Sequence, residues 1–387
     1  MTAVRFHNCG DIRVDEVEEP LCGKDEVKMK PAFVGICGSD LHEYMSGPIL
    51  VSKKAYAMNG KESPATLGHE FSGIIDEVGE NVKGLFKGQR AVVRPTIYDG
   101  KCPACKGGNR HCCENIRFIG LSGKSYLPHG KSLQRDIADN WDLQGYGGGM
   151  SRFIVAPSEH FYALPDDVSM EAGALVEPLA VAWHAVKLSP FKPNDTAIVL
   201  GGGPIGIGVI QVLKLRGAQN IILVELMENR KQLAKELGAT HILDPKNCDI
   251  PAEILKLTHK RGADVIFDSA GVEIALNGII GACRVHGTIV NIAVWEKKPS
   301  LAVNDITYSE INYMGAALYD EQSFLSVIEA LSDGELMHNF VLQAWWQLNT
   351  DKMITARIKL EDAVEKGFRE LIDHRDGHCK ILIDAQA

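Results

Sequence analysis

From about residue 196 onward the chain alternates short apolar runs with longer mixed stretches. "TAIVLG", "NIILVE", "THILD", "ADVIFDSAG", "GTIVNIAV" and "INYMGAAL" are compact and β-branched, the pattern of strands buried on both faces. Most are separated by segments of helical composition. "MENRKQLAKELGA" (227–239) spaces Leu233 and Leu237 among charges and stops at Gly238, a residue suited to the left-handed conformation that ends helices. Strands alternating with helices predict a parallel, doubly wound α/β sheet, and the six runs match two mononucleotide-binding halves.

The first 160 or so residues follow a different rhythm. "DEVKMKPAFVGI", "FSGIIDEVG" and "GQRAVVRP" are short alternating runs joined by glycine-rich turns, with little helical periodicity, so this part reads as mainly β. The last segment, 319–387, mixes helix ("DEQSFLSVIEALSDGEL", "LEDAVEKGFRELIDH") with a terminal strand, "CKILIDA", and is expected to return to the first domain. A chain of 387 residues is too long for one ordinary core. The expected division is 1–165 together with 319–387 as the β domain, and 166–318 as the doubly wound domain.

Composition narrows the function. Apolar residues at 45% and charged residues at 24% provide ample material for packed interiors. The net charge of -9, without a dense Lys/Arg cluster, argues against nucleic acid as a partner. The longest apolar stretch, "AIVLGGGPIGIGVIQVL" (197–213), is broken by five glycines and a proline, so it reads as strand, turn and helix rather than a membrane span. The opening "MTAVRFHNCGDIRVDE" lacks the apolar centre of a secretory signal, which makes the cytoplasm the expected location. Of the ten cysteines, Cys102, Cys105, Cys112 and Cys113 fall within twelve residues. In a reducing compartment such clustering points to metal.

The apolar stretch at 197–213 also carries a nucleotide signature. Gly201, Gly203 and Gly206 form a G-x-G-x-x-G frame directly after a strand and opening a helix, with Pro204 and Ile205 inside it. The first glycine permits the tight turn, the second lets pyrophosphate approach the backbone, and the third lets helix pack on strand. Glu225 follows nineteen residues after Gly206, at the end of the next strand. A carboxylate there accepts hydrogen bonds from ribose hydroxyls and repels a 2'-phosphate, which favours NAD over NADP. Arg230 partly offsets that charge and leaves some room for NADP.

Two further stretches hold metal-ligand chemistry. In "GICGSDLHEY" (35–44), Cys37 is followed by Ser39, Asp40 and His42, and in "ATLGHEFSGI" (65–74) His69 stands beside Glu70. A catalytic zinc takes three ligands from thiolate, imidazole and carboxylate and keeps one position open. Cys37, His69 and a glutamate fill that set. Glu70 and Glu177, the latter in "ALVEPLAVAWHAV", compete for the third place. Glu177 begins an apolar stretch in which an unpaired carboxylate is costly, although a helix N-terminus also accommodates one. "YDGKCPACKGGNRHCCEN" (98–115) supplies C-x2-C and then Cys113 after seven residues, the spacing of a closed structural zinc loop. Asp99 stands three residues before Cys102, where a fourth ligand completes the series, and Cys112 is either an unligated neighbour or an alternative to Cys113.

Taken in order, "GICGSDLH", "LGHE", the C-x2-C-x7-C lobe, "VEPLA" and "VLGGGPIG" resemble the zinc-dependent medium-chain dehydrogenase/reductase superfamily over essentially the whole chain. The glutamates of "GHE" and "EPL" resemble its polyol dehydrogenase branch. "GSDLHEYMSGPI", "VEPLAVAWHAVKLSPFK" and "NIAVWEKKP" are similar to fungal (R,R)-butanediol dehydrogenases, which interconvert acetoin and 2,3-butanediol.

The resemblance implies a GroES-like β domain, a Rossmann cofactor domain and an active site in the cleft between them. It further implies a catalytic zinc on Cys37, His69 and Glu70 or Glu177, with Asp40 supporting the metal shell. Ser39 and His42 then carry a proton relay through the cofactor ribose, and Asp99, Cys102, Cys105 and Cys113 hold a structural zinc. The implied partners are a small alcohol or diol and its ketone, within a homodimer or homotetramer. Two features depart from the pattern. Asp99 replaces the usual cysteine, and the segment 123–147 is longer than expected, so it reads as a lid or an interface arm that reshapes the pocket and with it the substrate preference. Sugar alcohols such as sorbitol and xylitol, or a secondary-metabolite alcohol, are the alternative substrates.

Overall fold

The computed structural model describes residues 1–51, 64–121, 147–295, 297–332 and 348–387. The chain divides into two compact units. The first comprises Met1–Glu177, Ile354–Arg375 and Lys380–Ala387, and the second Pro178–Met353 with Asp376–Cys379.

The first unit is built on β-strands, as its short alternating runs suggest. Its larger sheet places Phe161–Ala163, Arg90–Val93, Glu70–Val78, Glu26–Gly35, Lys380–Asp384 and Ile354–Lys359 side by side, with Ile154–Pro157 also pairing with Glu26–Gly35. The terminal strand of the chain pairs antiparallel with Glu26–Gly35 through Leu382↔Gly35 and Ile383↔Val34. The return predicted for "CKILIDA" is therefore a ladder of backbone hydrogen bonds. Alternate residues point into one core in which Val27, Met29, Val34, Phe71, Ile75, Phe368 and Ile381 are buried. A smaller sheet orders Asp11–Glu16, Thr2–Asn8 and Ala65–Thr66.

A helix over Gly38–Ser46 interrupts the β pattern, and the periodicity of the sequence did not announce it. Its start is fixed by a capping box. The Asp40 side chain accepts from the Cys37 amide at 2.9 Å, and the Cys37 side chain accepts from the backbone of Asp40.

The second unit contains the six strands read from the apolar runs. Their parallel order is His241–Leu243, Asn220–Val224, Thr196–Leu200, Ala263–Asp268, Cys283–Asn291 and Asn312–Gly315, the doubly wound arrangement. The helix after the second strand spans Glu228–Leu237, and Gly238 closes it at φ +127°. Ile198, Leu200, Ile222, Ile266 and Ile289 form the buried centre of this unit.

The units do not break where the sequence placed the boundaries, at 165/166 and 318/319. The helix Glu321–Leu331 clusters with the second unit, and residues up to Glu177 with the first. An amphipathic helix buries its apolar stripe wherever packing offers it. Periodicity reveals that stripe without revealing its partner. The segment predicted to be a lid or arm falls, but for Gly147, on residues 122–146, outside the described residues.

Candidate active site

Three predicted donors from separate parts of the first unit meet. Cys37 caps the helix Gly38–Ser46, His69 precedes the strand Glu70–Val78, and Glu70 opens that strand, paired with Gly35. One ligand atom from each of Cys37, His69 and Glu70 lies within 4.8 Å of the others. Zinc bonds to sulfur, nitrogen and oxygen measure about 2.0–2.3 Å, so donors gathered this closely need only a small inward shift to share one ion. His69 and Glu70 are buried, while Cys37 is half-buried, which leaves the thiolate side accessible to a small molecule.

Glu177, the rival third ligand, is buried in the first turn of the helix Val176–Leu188 and is not part of that three-atom set. Its carboxylate acts electrostatically on His69. Its place in the first turn is the helix N-terminal position that one sequence reading gave it.

The surroundings suit a cation. Burial alone would lower the basicity of His69, but the Asp40 carboxylate and the Cys37 sulfur outweigh it and push the ring up to about 10. Burial also pushes Asp40 up to about 6, against the pull of His69. The neighbours that favour a proton on this imidazole favour any positive charge there. Asp40 Oδ1 lies 3.6 Å from His69 Nδ1, and both atoms are buried without a hydrogen bond in this conformation. A metal on Nε2 would hold Nδ1 as the N–H donor facing Asp40, the carboxylate–histidine–metal arrangement. The donor set therefore fits zinc.

Ser39 Oγ lies 3.3 Å from His69 Nε2, at the edge of the donor cluster. His42 follows three residues later on the same helix, half-buried, so the two side chains lie on one helical face.

The sequence reading missed Lys380. This lysine lies within the terminal strand, 2% exposed, and its Nζ donates to Glu70 Oε2 at 2.6 Å and to the Ile36 carbonyl at 3.1 Å. The one available signal was a lysine opening the short apolar run Ile381–Ile383.

A second cluster gathers Asp99, Cys102, Cys105 and Cys113, with their ligand atoms within 4.8 Å of one another. Amide groups point at its sulfurs: Cys105 N–H donates to Cys102 Sγ at 3.4 Å, and the N–H groups of Asp99 and Asn115 donate to Cys113 Sγ at 3.4 and 3.3 Å. Asp99 occupies the first position as a fixed carboxylate. Its Oδ1 accepts from the amides of Lys101 and Cys102 at 2.8 and 3.0 Å, and Oδ2 from the Asn115 side chain. Those hydrogen bonds outweigh burial and hold its pKa below the usual carboxylate range. Burial and the neighbouring Cys102 and Cys113 push the Cys105 thiol up to about 12, a cost that a bound metal relieves by taking the thiolate. Cys112 is exposed and lies outside the set. Four donors in a closed loop fit a structural ion.

In the second unit the glycine frame is folded as a nucleotide turn. Gly201 adopts φ +87°, and Gly203 caps the helix Pro204–Leu215 without a side-chain bond, so its N-terminal amides remain for an anion. A Cβ on Gly206 would collide with the Gly201 carbonyl, whereas one on Gly203 would meet nothing within 4 Å. Gly206 therefore serves helix packing, and Gly203 lies on the open side. Glu225 is anchored: Oε2 accepts from Gly202 N–H at 2.6 Å, and Oε1 from Leu226 and Met227 N–H at 2.7 and 2.9 Å. Oε2 keeps room for another donor such as a ribose hydroxyl. Arg230 has its Cβ beside the Gly202 turn, and Ile205 in the first turn of the helix is half-buried. Among the described residues no helix is long and apolar enough to cross a membrane.

Comparisons with known proteins agree with this layout. Residues 23–166 match the family described as alcohol dehydrogenase GroES-like domain, and residues 204–333 the family described as zinc-binding dehydrogenase. The chain is 38% identical over 387 residues to (R,R)-butanediol dehydrogenase of Bacillus subtilis strain 168, covering 99% of each. It is 33% identical over 404 residues to (R,R)-butanediol dehydrogenase of Saccharomyces cerevisiae, covering 99% of this chain and 98% of the other. The crystal structure of the Bacillus subtilis 2R,3R-butanediol dehydrogenase superposes with a TM-score of 0.82, again covering 99% of each chain.

Proposed function

Since the chain belongs to the zinc-dependent medium-chain alcohol dehydrogenases, we propose that it interconverts 2,3-butanediol and acetoin with NAD, using Cys37, His69 and Glu70 as metal ligands. The observation that supports this reading is the meeting of thiol, imidazole and carboxylate within 4.8 Å, with a serine hydroxyl 3.3 Å from the imidazole. A zinc ion held there supplies Lewis acidity that favours the alkoxide form of an alcohol near neutral pH, and NAD supplies the hydride acceptor.

The remaining work belongs to the chain. Asp40 orients His69. Ser39 accepts the proton that the alcohol gives up, and His42, half-buried on the same helix, passes it to solvent. Glu177 presents a carboxylate toward the same imidazole and receives the second hydroxyl of a vicinal diol, which sets diols above simple alcohols. The turn at Gly201, Gly203 and Gly206 with the helix behind it receives pyrophosphate, and anchored Glu225 receives the adenosine ribose and disfavours a 2'-phosphate. Asp99, Cys102, Cys105 and Cys113 hold a structural zinc. The protein works in the cytoplasm as a homo-oligomer. Among the described residues its Asn312–Gly315 strand ends the second sheet, and a sheet edge of this kind accepts a second copy.

The test is a substrate panel on protein of measured zinc content, read by NADH absorbance. Turnover with a 2,3-butanediol stereoisomer at least about tenfold above xylitol and sorbitol in kcat/KM supports the proposal. Faster turnover of the pentitol or hexitol assigns the chain to polyol oxidation instead.

A further inference from the structure

The two oxygens of Asp99 are used unequally. Oδ1 accepts from the amides of Lys101 and Cys102 at 2.8 and 3.0 Å, whereas Oδ2 accepts from the side-chain amide of Asn115. The Cys105 thiol also bonds to this carboxylate, so the group faces into the sulfur cluster. Each carboxylate oxygen offers two lone pairs. The two amides fill both on Oδ1, while Asn115 takes one on Oδ2 and leaves the other to point at an ion. Asn115 is tied to the cluster a second time, because its own N–H donates to Cys113 Sγ at 3.3 Å. One half-buried residue thus touches the first and the last of the four donors.

We propose that Asn115 is a positioning residue of the closed cluster: it aims Asp99 Oδ2 at the metal as a single oxygen ligand, so that a carboxylate serves in place of a fourth thiolate. The inference rests on the structural-metal reading given above. A carboxylate is a harder donor than a thiolate and suits zinc less well. It can also rotate about its last bond, to chelate with both oxygens or to turn toward water. The amides of Lys101 and Cys102 hold one oxygen, and Asn115 holds the other, which fixes the plane of the group. Asn115 does this with a neutral donor, so the negative charge stays with the metal, whereas a lysine or arginine in its place would cancel it. Partners of this kind, one bond removed from the ion, set ligand orientation and retention.

The experiment follows zinc release from the full chain to a chromophoric chelator, and the absorption of the same protein loaded with cobalt(II). Sulfur-to-cobalt bands report the thiolates, and the visible bands report the fourth ligand. Cys102→Ser first identifies the bands and the release phase of this cluster; if that variant changes neither them nor the metal content, the metal reading itself falls. Asn115→Ala is expected to keep the sulfur bands, shift the visible bands and speed the identified phase about tenfold. Asn115→Asp, which sets a second carboxylate against Asp99, should speed it further. If Asn115→Ala does not fold, Asn115→Leu carries the same prediction, since it fills the space but cannot donate. In the Asp99→Cys background, Asn115→Ala should change release less than about twofold, because the oxygen it aims is gone. A residue that merely braced the loop at Cys113 would matter equally in both backgrounds. Unchanged visible bands and release in Asn115→Ala or Asn115→Leu, or an equal acceleration with Cys at position 99, overturns the proposal.

Discussion

The two donor clusters of the first unit solve opposite problems. Asp99, Cys102, Cys105 and Cys113 come from one stretch of fifteen residues, and amide hydrogen bonds point at their sulfurs and at the Asp99 carboxylate. Cys37, His69 and Glu70 come from a helix cap, a loop end and a strand start, and each leans on a further group: buried Asp40, half-buried Ser39 or buried Lys380. The first cluster has four donors and closes. The second has three and leaves Cys37 half-buried. Four donors on a short loop substitute for a hydrophobic core, while three donors held by the fold leave a place for chemistry.

The sharpest way to break that contrast is to remove one donor from each side. Cys37→Ser should lower kcat/KM by roughly 1000-fold or more, with one zinc lost per chain and little change in Tm, read by NADH formation, metal analysis and calorimetry. If activity survives, the three-donor cluster is not the reacting centre. Asp40→Asn keeps the shape but removes the charge beside His69, and is expected to cost about 10- to 100-fold in activity or metal affinity. A wild-type zinc affinity in that variant would detach Asp40 from the site.

Cys102→Ser should act in the other direction. We expect a fall in Tm of roughly 10 °C, from a loss of a few kcal/mol in a unit of this size, while kcat of the folded protein changes less than about threefold. A large drop in kcat at unchanged Tm would merge the two clusters into one functional centre. The smallest effect is expected for Asp99→Asn, which keeps the acceptor for Lys101 and Cys102 but is a poorer ligand. Its Tm should fall by only a few degrees, and chelator should strip this zinc faster than from wild type.

The same contrast explains what the sequence made legible. The closed cluster could be read almost whole, because ligands on one loop keep their spacing in the chain. So could the six parallel strands, since burial on both faces imposes a continuous apolar run. The open cluster was legible as ligand types, yet that Glu70 rather than Glu177 lies within 4.8 Å of Cys37 and His69 depends on strand pairing opposite Gly35, which no local pattern encodes. Lys380 was hidden for the same reason, its partner lying 310 positions away. The helix Gly38–Ser46 escaped because its start, Gly-Ser-Asp, has the composition of a turn, and a capping box with a cysteine is an unusual signal. "LEDAVEKGFRELIDH" was read as helix, and its middle, Ala363–Arg369, is wound as a π-helix in which Gly367 lies tight against Ile36 and Ile358. Composition alone does not distinguish those windings.

The account depends most on one ion shared by Cys37, His69 and Glu70. Anomalous diffraction at the zinc absorption edge, on crystals of the active enzyme, tests it directly. We predict a peak within bonding distance of Cys37 Sγ, His69 Nε2 and a Glu70 oxygen, separate from the peak at the Asp99 loop. A fully active crystal with no peak at Cys37 and His69, or with one bonded to neither, would contradict it.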